Sequence, residues 1–366
     1  MKKKIIFIAA HYPNRSPGQR YRFEQYFKIL QQNGYEIKLA NIINEKDDKI
    51  FYSPGNSILK ILLIVKFFLK RCVHVFEATQ YDIIFIYREA FFMGGAFFET
   101  LFKWTGKKIV YDFDDAIWLP NVSDENKRWQ FLKTTSKISS IIKMADCVIV
   151  GNDYLKTYAS QFNKNITIIP STIDLDYYQL LPKKKHDKIV IGWTGSGTTI
   201  QYFKLLELVF KKLMNKYPNQ IEVCVYGSKN YCNEALKIQG IAWSSATEVE
   251  TINGFDIGVM PLPDNKWTEG KCAMKGLQYM ALEVATILSP VGVNKKIIVD
   301  GENGLLANDD EWFEKLEQLI INEALRKRLA ANGRKTILKE YTSEVNAQKY
   351  LTVFHSLFDK SILLIN

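Results

Sequence analysis

The chain has 366 residues, 47% hydrophobic and 24% charged, a balance that excludes a disordered polymer and suits two globular domains of ordinary size. Its five cysteines, Cys72, Cys147, Cys224, Cys232 and Cys272, are odd in number, scattered and without a CxxC pair, which argues against a disulfide framework or a zinc site and for a reducing cytoplasm. The net charge of +10 lies in one half: residues 1–185 carry 28 Lys and Arg against 18 Asp and Glu, and residues 186–366 carry 21 of each. Such a basic half can face nucleic acid, an anionic membrane or a phosphorylated substrate. No nucleic-acid module is recognisable, so a nucleic-acid partner is not expected.

Three lysines precede the first apolar run, but that run is too short for a signal peptide and no small-residue cleavage site follows, so 5–10 is read as a first strand. No uncharged apolar stretch is long enough to cross a membrane. After this strand, Arg15, Gly18, Arg20 and Arg22 share one loop and helix start, 13–22. Guanidinium groups beside a glycine suit anion recognition, and arginine at a helix N-terminus opposes the dipole, which favours a functional role. A helix is expected over 20–32 and a strand over 36–43. The segment 58–71 alternates apolar residues with Lys60, Lys66, Lys70 and Arg71. It is either an amphipathic helix at a membrane interface or a buried helix with snorkelling lysines.

Strands are then expected at 81–87, 108–113, 146–150 and 166–169, with helices over 127–144 and 153–161. Near-continuous apolar strands joined by helices mean a parallel sheet covered on both faces. The strand at 108–113 runs into Asp112, Asp114 and Asp115. Unpaired buried carboxylates are costly, so this cluster is expected to line a wet cleft, either as a metal site or as a metal-free catalytic or sugar-binding edge; the two-domain layout favours the second. A proline and a basic run at 180–187 read as a linker.

The pattern then restarts, with strands expected at 188–193, 222–226, 238–243, 257–260 and 286–289, and helices over 200–216, 273–282, 312–321, 323–340 and 344–358. The whole reads as two doubly wound α/β domains, 1–182 and 188–343, facing across a cleft at the strand C-termini, with 344–366 packing back toward the first domain. The loop Gly195-Ser196-Gly197-Thr198-Thr199, between a strand and a helix, suits a phosphate. Lys271, Lys275 and Gln278 follow Gly270 at helical spacing and share one face, which can hold a diphosphate and a sugar or ribose hydroxyl.

These residues resemble glycosyltransferase family 4. The resemblance is carried by Gly270-Lys271-Cys272 through Lys275, Gln278-Tyr279-Met280-Ala281, Ser289-Pro290-Val291-Gly292-Val293-Asn294 and Asp300-Gly301-Glu302-Asn303-Gly304. Arg88-Glu89, Tyr111 to Asp115 and Gly192 to Ser196 extend it over nearly the whole chain. It implies a retaining, metal-independent transferase of GT-B fold with no cofactor, taking a nucleotide-sugar as co-substrate in the second domain. Gly18, Gly195, Ser196, Glu269, Gly270, Lys271, Lys275 and Gln278 would serve the donor. Asp114 would stand near the reacting sugar, and Arg20, Arg22 and Arg88 would hold phosphates of the acceptor or the donor. Relatives carry two glutamates eight residues apart where this chain has Gly270, beside Glu269, and Gln278. Many also carry an Arg and a Lys in the loop where this chain has neither, and a histidine where Asp114 falls. Asp-Phe-Asp also resembles the DxD metal motif of GT-A enzymes. The implied setting is bacterial surface polysaccharide assembly, in the cytoplasm or peripherally on the inner membrane through 58–71, with a glycan or lipid-linked acceptor. A sugar-nucleotide epimerase of the same fold and a non-catalytic sugar-nucleotide-binding protein are the alternatives.

Overall fold

The structure is a computed structural model that describes residues 2–119, 136–183 and 187–358. The chain divides into two units, Met1–Pro170 with Asn346–Asn366, and Ser171–Val345. In the first, strands β1 (Lys3–Ala9), β2 (Tyr35–Asn41), β3 (Ile83–Tyr87), β4 (Lys108–Phe113), β5 (Cys147–Val150) and β6 (Ile166–Ile168) form a parallel sheet in the order β2-β1-β3-β4-β5-β6. Helices α1 (Pro17–Arg22), α2 (Phe27–Gln32), α3 (Glu45–Phe51), α4 (Ser57–Ala78), α5 (Phe97–Trp104), α6 (Ser136–Met144) and α7 (Asp153–Ala159) connect the strands. The central strand β3 is Ile-Ile-Phe-Ile-Tyr and buried throughout, as two covered faces require.

In the second unit, β7 (Ile189–Thr194), α8 (Ile200–Phe203), α9 (Glu207–Lys216), β8 (Ile221–Tyr226), β9 (Cys232–Asn233), β10 (Ile238–Gln239), α10 (Glu248–Asn253), β11 (Ile257–Met260), α11 (Lys266–Glu269), α12 (Met274–Ala281), β12 (Ala285–Leu288), α13 (Asn294–Ile297), β13 (Leu305–Leu306), α14 (Trp312–Ile321), α15 (Glu323–Thr336) and α16 (Ser343–Ser356) follow in order. The sheet runs β13-β12-β11-β7-β8, again parallel. Most of α16 belongs to the first unit: Tyr350 and Phe354 join the core of Phe7, Phe23 and Phe85, and the Tyr350 hydroxyl donates to the Arg22 carbonyl.

Three expected elements differ. The helix expected over 20–32 breaks at Phe23, whose backbone leaves the helical region (φ −148°) so that its ring stacks on Phe7 at 5.3 Å. The strand expected over 238–243 shrinks to β10, which pairs antiparallel with β9 outside the main sheet. The first unit closes at Pro170, twelve residues before the expected boundary, because Ser171 to Tyr178 pack with the second unit. The expected helix start at 127 and part of the 180–187 linker lie outside the described residues.

Helix α4 buries Leu63, Phe67, Arg71, His74 and Ala78, spaced three and four apart on one face. Arg71 has no exposed surface and donates to the carbonyls of Ala9 (2.8 Å) and Ala40 (2.9 Å), at the C-terminal ends of β1 and β2. It also meets His74 Nδ1 at 3.2 Å. Arginine only donates, so this ring nitrogen accepts and the imidazole is neutral. Burial, with Arg71, Lys70 and Lys38, holds the His74 pKa down to about 3. A value depressed below the ordinary 6.5 makes the neutral ring's contribution to stability complete above that pH and lost as pH falls toward 3. Denaturant unfolding from pH 7 to 4 is therefore expected to show an acid loss that His74→Gln flattens. An identical acid limb in the variant would contradict this.

Candidate functional site

In the first unit, β3 and β4 end side by side, with Tyr87 in register with Asp112. Arg88 turns out of β3 in a left-handed conformation (φ +59°) while its N–H still bonds the Asp112 carbonyl at 2.8 Å. That turn aims its guanidinium at the acidic edge. Nε and Nη2 donate to Asp114 Oδ1 at 2.9 and 2.7 Å, and Nη2 to Asp115 Oδ2 at 2.6 Å. The Tyr87 hydroxyl donates to the same Asp114 oxygen at 3.1 Å. Gly18 lies against this group: a Cβ there would come 2.3 Å from the Tyr87 hydroxyl oxygen and 3.7 Å from Asp114 Oδ2. Gly18, Arg88 and Asp114 thus meet at one edge, joined by Tyr87, which no sequence pattern singled out.

Arg22 is a correction. Its side chain and that of Asp112 have no exposed surface. Its Nη2 and Nε donate to Asp112 at 2.5 and 3.1 Å, and Nη1 to the Ile169 carbonyl at 2.6 Å. It braces the sheet and cannot reach a phosphate. Asp112 is likewise an internal partner, not the lining of a wet cleft. Arg20 is also buried, with Nη2 donating to the Tyr21 hydroxyl at 2.8 Å. Among the described residues, no group of three or more His, Cys, Asp or Glu is arranged to hold a metal ion.

In the second unit, the end of β7 and the start of α12 come together. The Tyr279 hydroxyl of α12 accepts from the Thr194 N–H at 2.9 Å, and the Lys275 ammonium lies 5.6 Å from the Trp193 ring centre, at the root of the Gly195–Ser196 loop. A Cβ on Gly195 would collide with the Trp193 ring and with Thr199 Oγ1, so this turn excludes a side chain. Thr199 Oγ1 holds the Ser196 N–H at 3.1 Å, and Ser196 Oγ meets Thr198 Oγ1 at 2.8 Å. Lys271 stands 5.0 Å over the Trp267 ring. Glu269 ends α11 half-buried, and Gly292, with φ +53°, packs so closely on its backbone that a Cβ would meet the Glu269 carbonyl oxygen at 2.7 Å. Gly270 caps α11, and Ala273 enters α12 in a left-handed conformation (φ +54°). Lys271 and Lys275 thus flank the opening of α12, Lys275 at the root of the Ser196 loop, where a helix dipole and ammonium groups favour an anion.

Gln278 does not match its expected role. It is buried, and its amide nitrogen donates to the Tyr178 hydroxyl at 2.7 Å and to Glu248 Oε1 at 3.0 Å. Both amide protons are committed within the protein, which speaks against a ribose contact from them. Glu248, 2% exposed, also accepts from Trp243 Nε1 (3.2 Å) and the Tyr177 hydroxyl (3.1 Å). In sequence it reads as an ordinary acid at a helix start. Gln278→Glu would set a second carboxylate about 3 Å from the first, where one is forced to bind a proton. We expect this variant to lose stability at neutral pH and to regain much of it on acidification to about pH 5. Equal stability of variant and parent across that range, by denaturant unfolding, would contradict the arrangement.

Residues 188–322 match the family of glycosyl transferases group 1. The capsular polysaccharide biosynthesis glycosyltransferase CapM of Staphylococcus aureus is 24% identical over 196 residues, a match spanning half of each chain. The sucrose-phosphate synthase of Thermosynechococcus elongatus superposes with a TM-score of 0.69 at 13% identity, over 98% of this chain and all of that one. The chain has the GT-B fold of these enzymes, and residues 188–322 of its second unit match the glycosyl transferase family model. The structure of Anabaena HepE in complex with UDP and glucose has the same fold, with a TM-score of 0.65 at 12% identity over 97% of this chain and 100% of that one.

Proposed function

We propose that this protein is a glycosyltransferase that moves a hexose-type sugar from a nucleoside diphosphate sugar to a lipid-linked glycan acceptor, with retention of configuration and without a metal, in bacterial surface polysaccharide assembly. The observation that carries the donor half is Lys275 over Trp193, which puts an ammonium beside the glycine turn that ends β7. With Lys271 and the Gly195–Ser196 loop it forms a cationic cradle for a diphosphate. Charge grows on that diphosphate as the glycosidic bond breaks, so the cradle stabilises the transition state more than the ground state. The UDP held by HepE and the capsular role of CapM support the donor class and the setting.

In the first unit, Asp114 is fixed by Arg88 and Tyr87, so its carboxylate meets the sugar in one orientation, accepting a hydroxyl or facing positive charge at the anomeric carbon. Gly18 leaves the approach open, and Arg88 supplies positive charge there. The basic first unit suits a phosphate-bearing acceptor, and the 58–71 segment suits work at the cytoplasmic face of the inner membrane. The test is to incubate the enzyme with UDP-, GDP- and dTDP-hexoses and polyprenyl-diphosphate glycans, with and without EDTA, and to read the new linkage by proton NMR. A retained anomer, indifferent to EDTA, is expected. An inverted linkage, full metal dependence, or an epimerised sugar released without acceptor would overturn the reading.

A further inference from the structure

Opposite its buried face, α4 presents a second apolar face. Ile58, Ile61, Leu62, Val65, Leu69 and Phe76 are all exposed, Ile58 by 78% and Phe76 by 76%. Their offsets of 3, 4, 7, 11 and 18 residues from Ile58 keep them in one stripe along five turns of the helix. Large aliphatic and aromatic side chains in such a stripe are costly to leave in water. The stripe continues onto α5: Phe68 of α4 stacks on Phe97 at 6.1 Å, and Phe97 is half exposed. Trp104 lies seven residues further along α5, on the same side as Phe97, and is 77% exposed.

The charges around this face choose its occupant. Residues 57–76 contain no Asp or Glu, while Lys66 and Lys70 border the stripe. Lys66 reaches back to Asp47 at 2.7 Å yet stays half exposed. An apolar stripe edged by lysines, with an outlying tryptophan, has the chemistry of a surface that sinks into the headgroup region of an anionic bilayer. Arg71 pins the opposite face of the same helix to the ends of β1 and β2, so the stripe is held in place on a rigid element. No helix among the described residues is long and apolar enough to span a membrane, so the contact is one of lying on the surface.

We propose that the outer face of α4, continued by Phe97 and Trp104 of α5, docks this enzyme on an anionic lipid bilayer. This deepens the membrane contact proposed above and rests on it for its purpose, but the binding itself needs neither donor nor acceptor. The experiment is flotation of the full chain with vesicles of phosphatidylcholine alone or with about 30 mol% phosphatidylglycerol, for the parent and for Leu62→Asp with Leu69→Asp. Both substituted residues are exposed, and a melting curve checks the fold; Leu62→Ser with Leu69→Ser is the milder pair if the first does not fold. The parent is expected to float with the anionic vesicles and weakly with the neutral ones, and the variant to lose at least about tenfold in partitioning. Donor binding should be unchanged in the variant. Failure to float, equal flotation of parent and variant, or equal partitioning onto neutral vesicles would overturn the proposal. So would a concentration-dependent dimer in sedimentation that the variant abolishes, since a second copy would then cover the face. Lost transfer with retained flotation would instead count against the proposed reaction alone.

Discussion

Replacing Arg22 by methionine is expected to lower stability by about 3–5 kcal/mol, the usual cost of breaking a buried ion pair by removing one partner. Neither Arg22 nor Asp112 has exposed surface, and the guanidinium also satisfies the Ile169 carbonyl. Burial already pushes the Asp112 carboxyl up, and Arg22 is the largest influence drawing it down. Without the arginine, that carboxylate stays charged in an apolar interior or takes up a proton, and either way the fold weakens. The loss reaches the candidate site, because Asp112 shares its short strand end with Asp114 and its carbonyl holds the Arg88 N–H. Replacing both members together, Arg22→Met with Asp112→Leu, should recover much of the stability, since an apolar pair of similar volume leaves no orphan charge. Denaturant midpoints of the two variants decide this. A single variant within about 1 kcal/mol of the parent would mean that the pair does not brace the sheet.

The largest effect on activity is expected at Lys275. If its ammonium steadies the departing diphosphate, Lys275→Ala should lower kcat on the order of a hundred- to a thousandfold, the scale seen when one transition-state donor is removed. KM should change less, because the charge it meets grows mainly as the bond breaks. Its ammonium also lies over the Trp193 ring, so melting curves must show that the fold survives. Lys275→Arg keeps the charge and should retain most of the rate. Steady-state kinetics with saturating acceptor separate the cases: a loss below about tenfold, or a loss confined to KM, would remove Lys275 from the reaction.

Much of the architecture is legible in the residues, because the parallel strands are apolar runs whose faces are both covered. β3 and β4 could be read from their own side chains, and so could the glycine turn after β7. What the sequence does not show depends on partners remote along the chain. Arg20, Arg22 and Arg88 look alike as arginines near strand ends, but Arg22 meets Asp112 ninety residues away and disappears into the core. Gln278 sits at ligand-like spacing on its helix, yet Glu248, thirty residues earlier, takes one of its amide protons. Tyr87 looks like one more apolar strand residue until its hydroxyl reaches Asp114. β10 is not legible as a side ribbon, because two residues of pairing with β9 carry too little pattern to tell it from a sheet strand.

The most direct test of the donor cradle is a calorimetric titration of UDP, GDP and dTDP into the parent and into Lys271→Ala with Lys275→Ala. One nucleotide is expected to bind the parent, and the double variant, folded to the same melting temperature, is expected to bind it at least about tenfold more weakly. Equal affinity in both proteins, or no binding of any of the three to the parent, would contradict the placement of the nucleoside diphosphate at the head of α12.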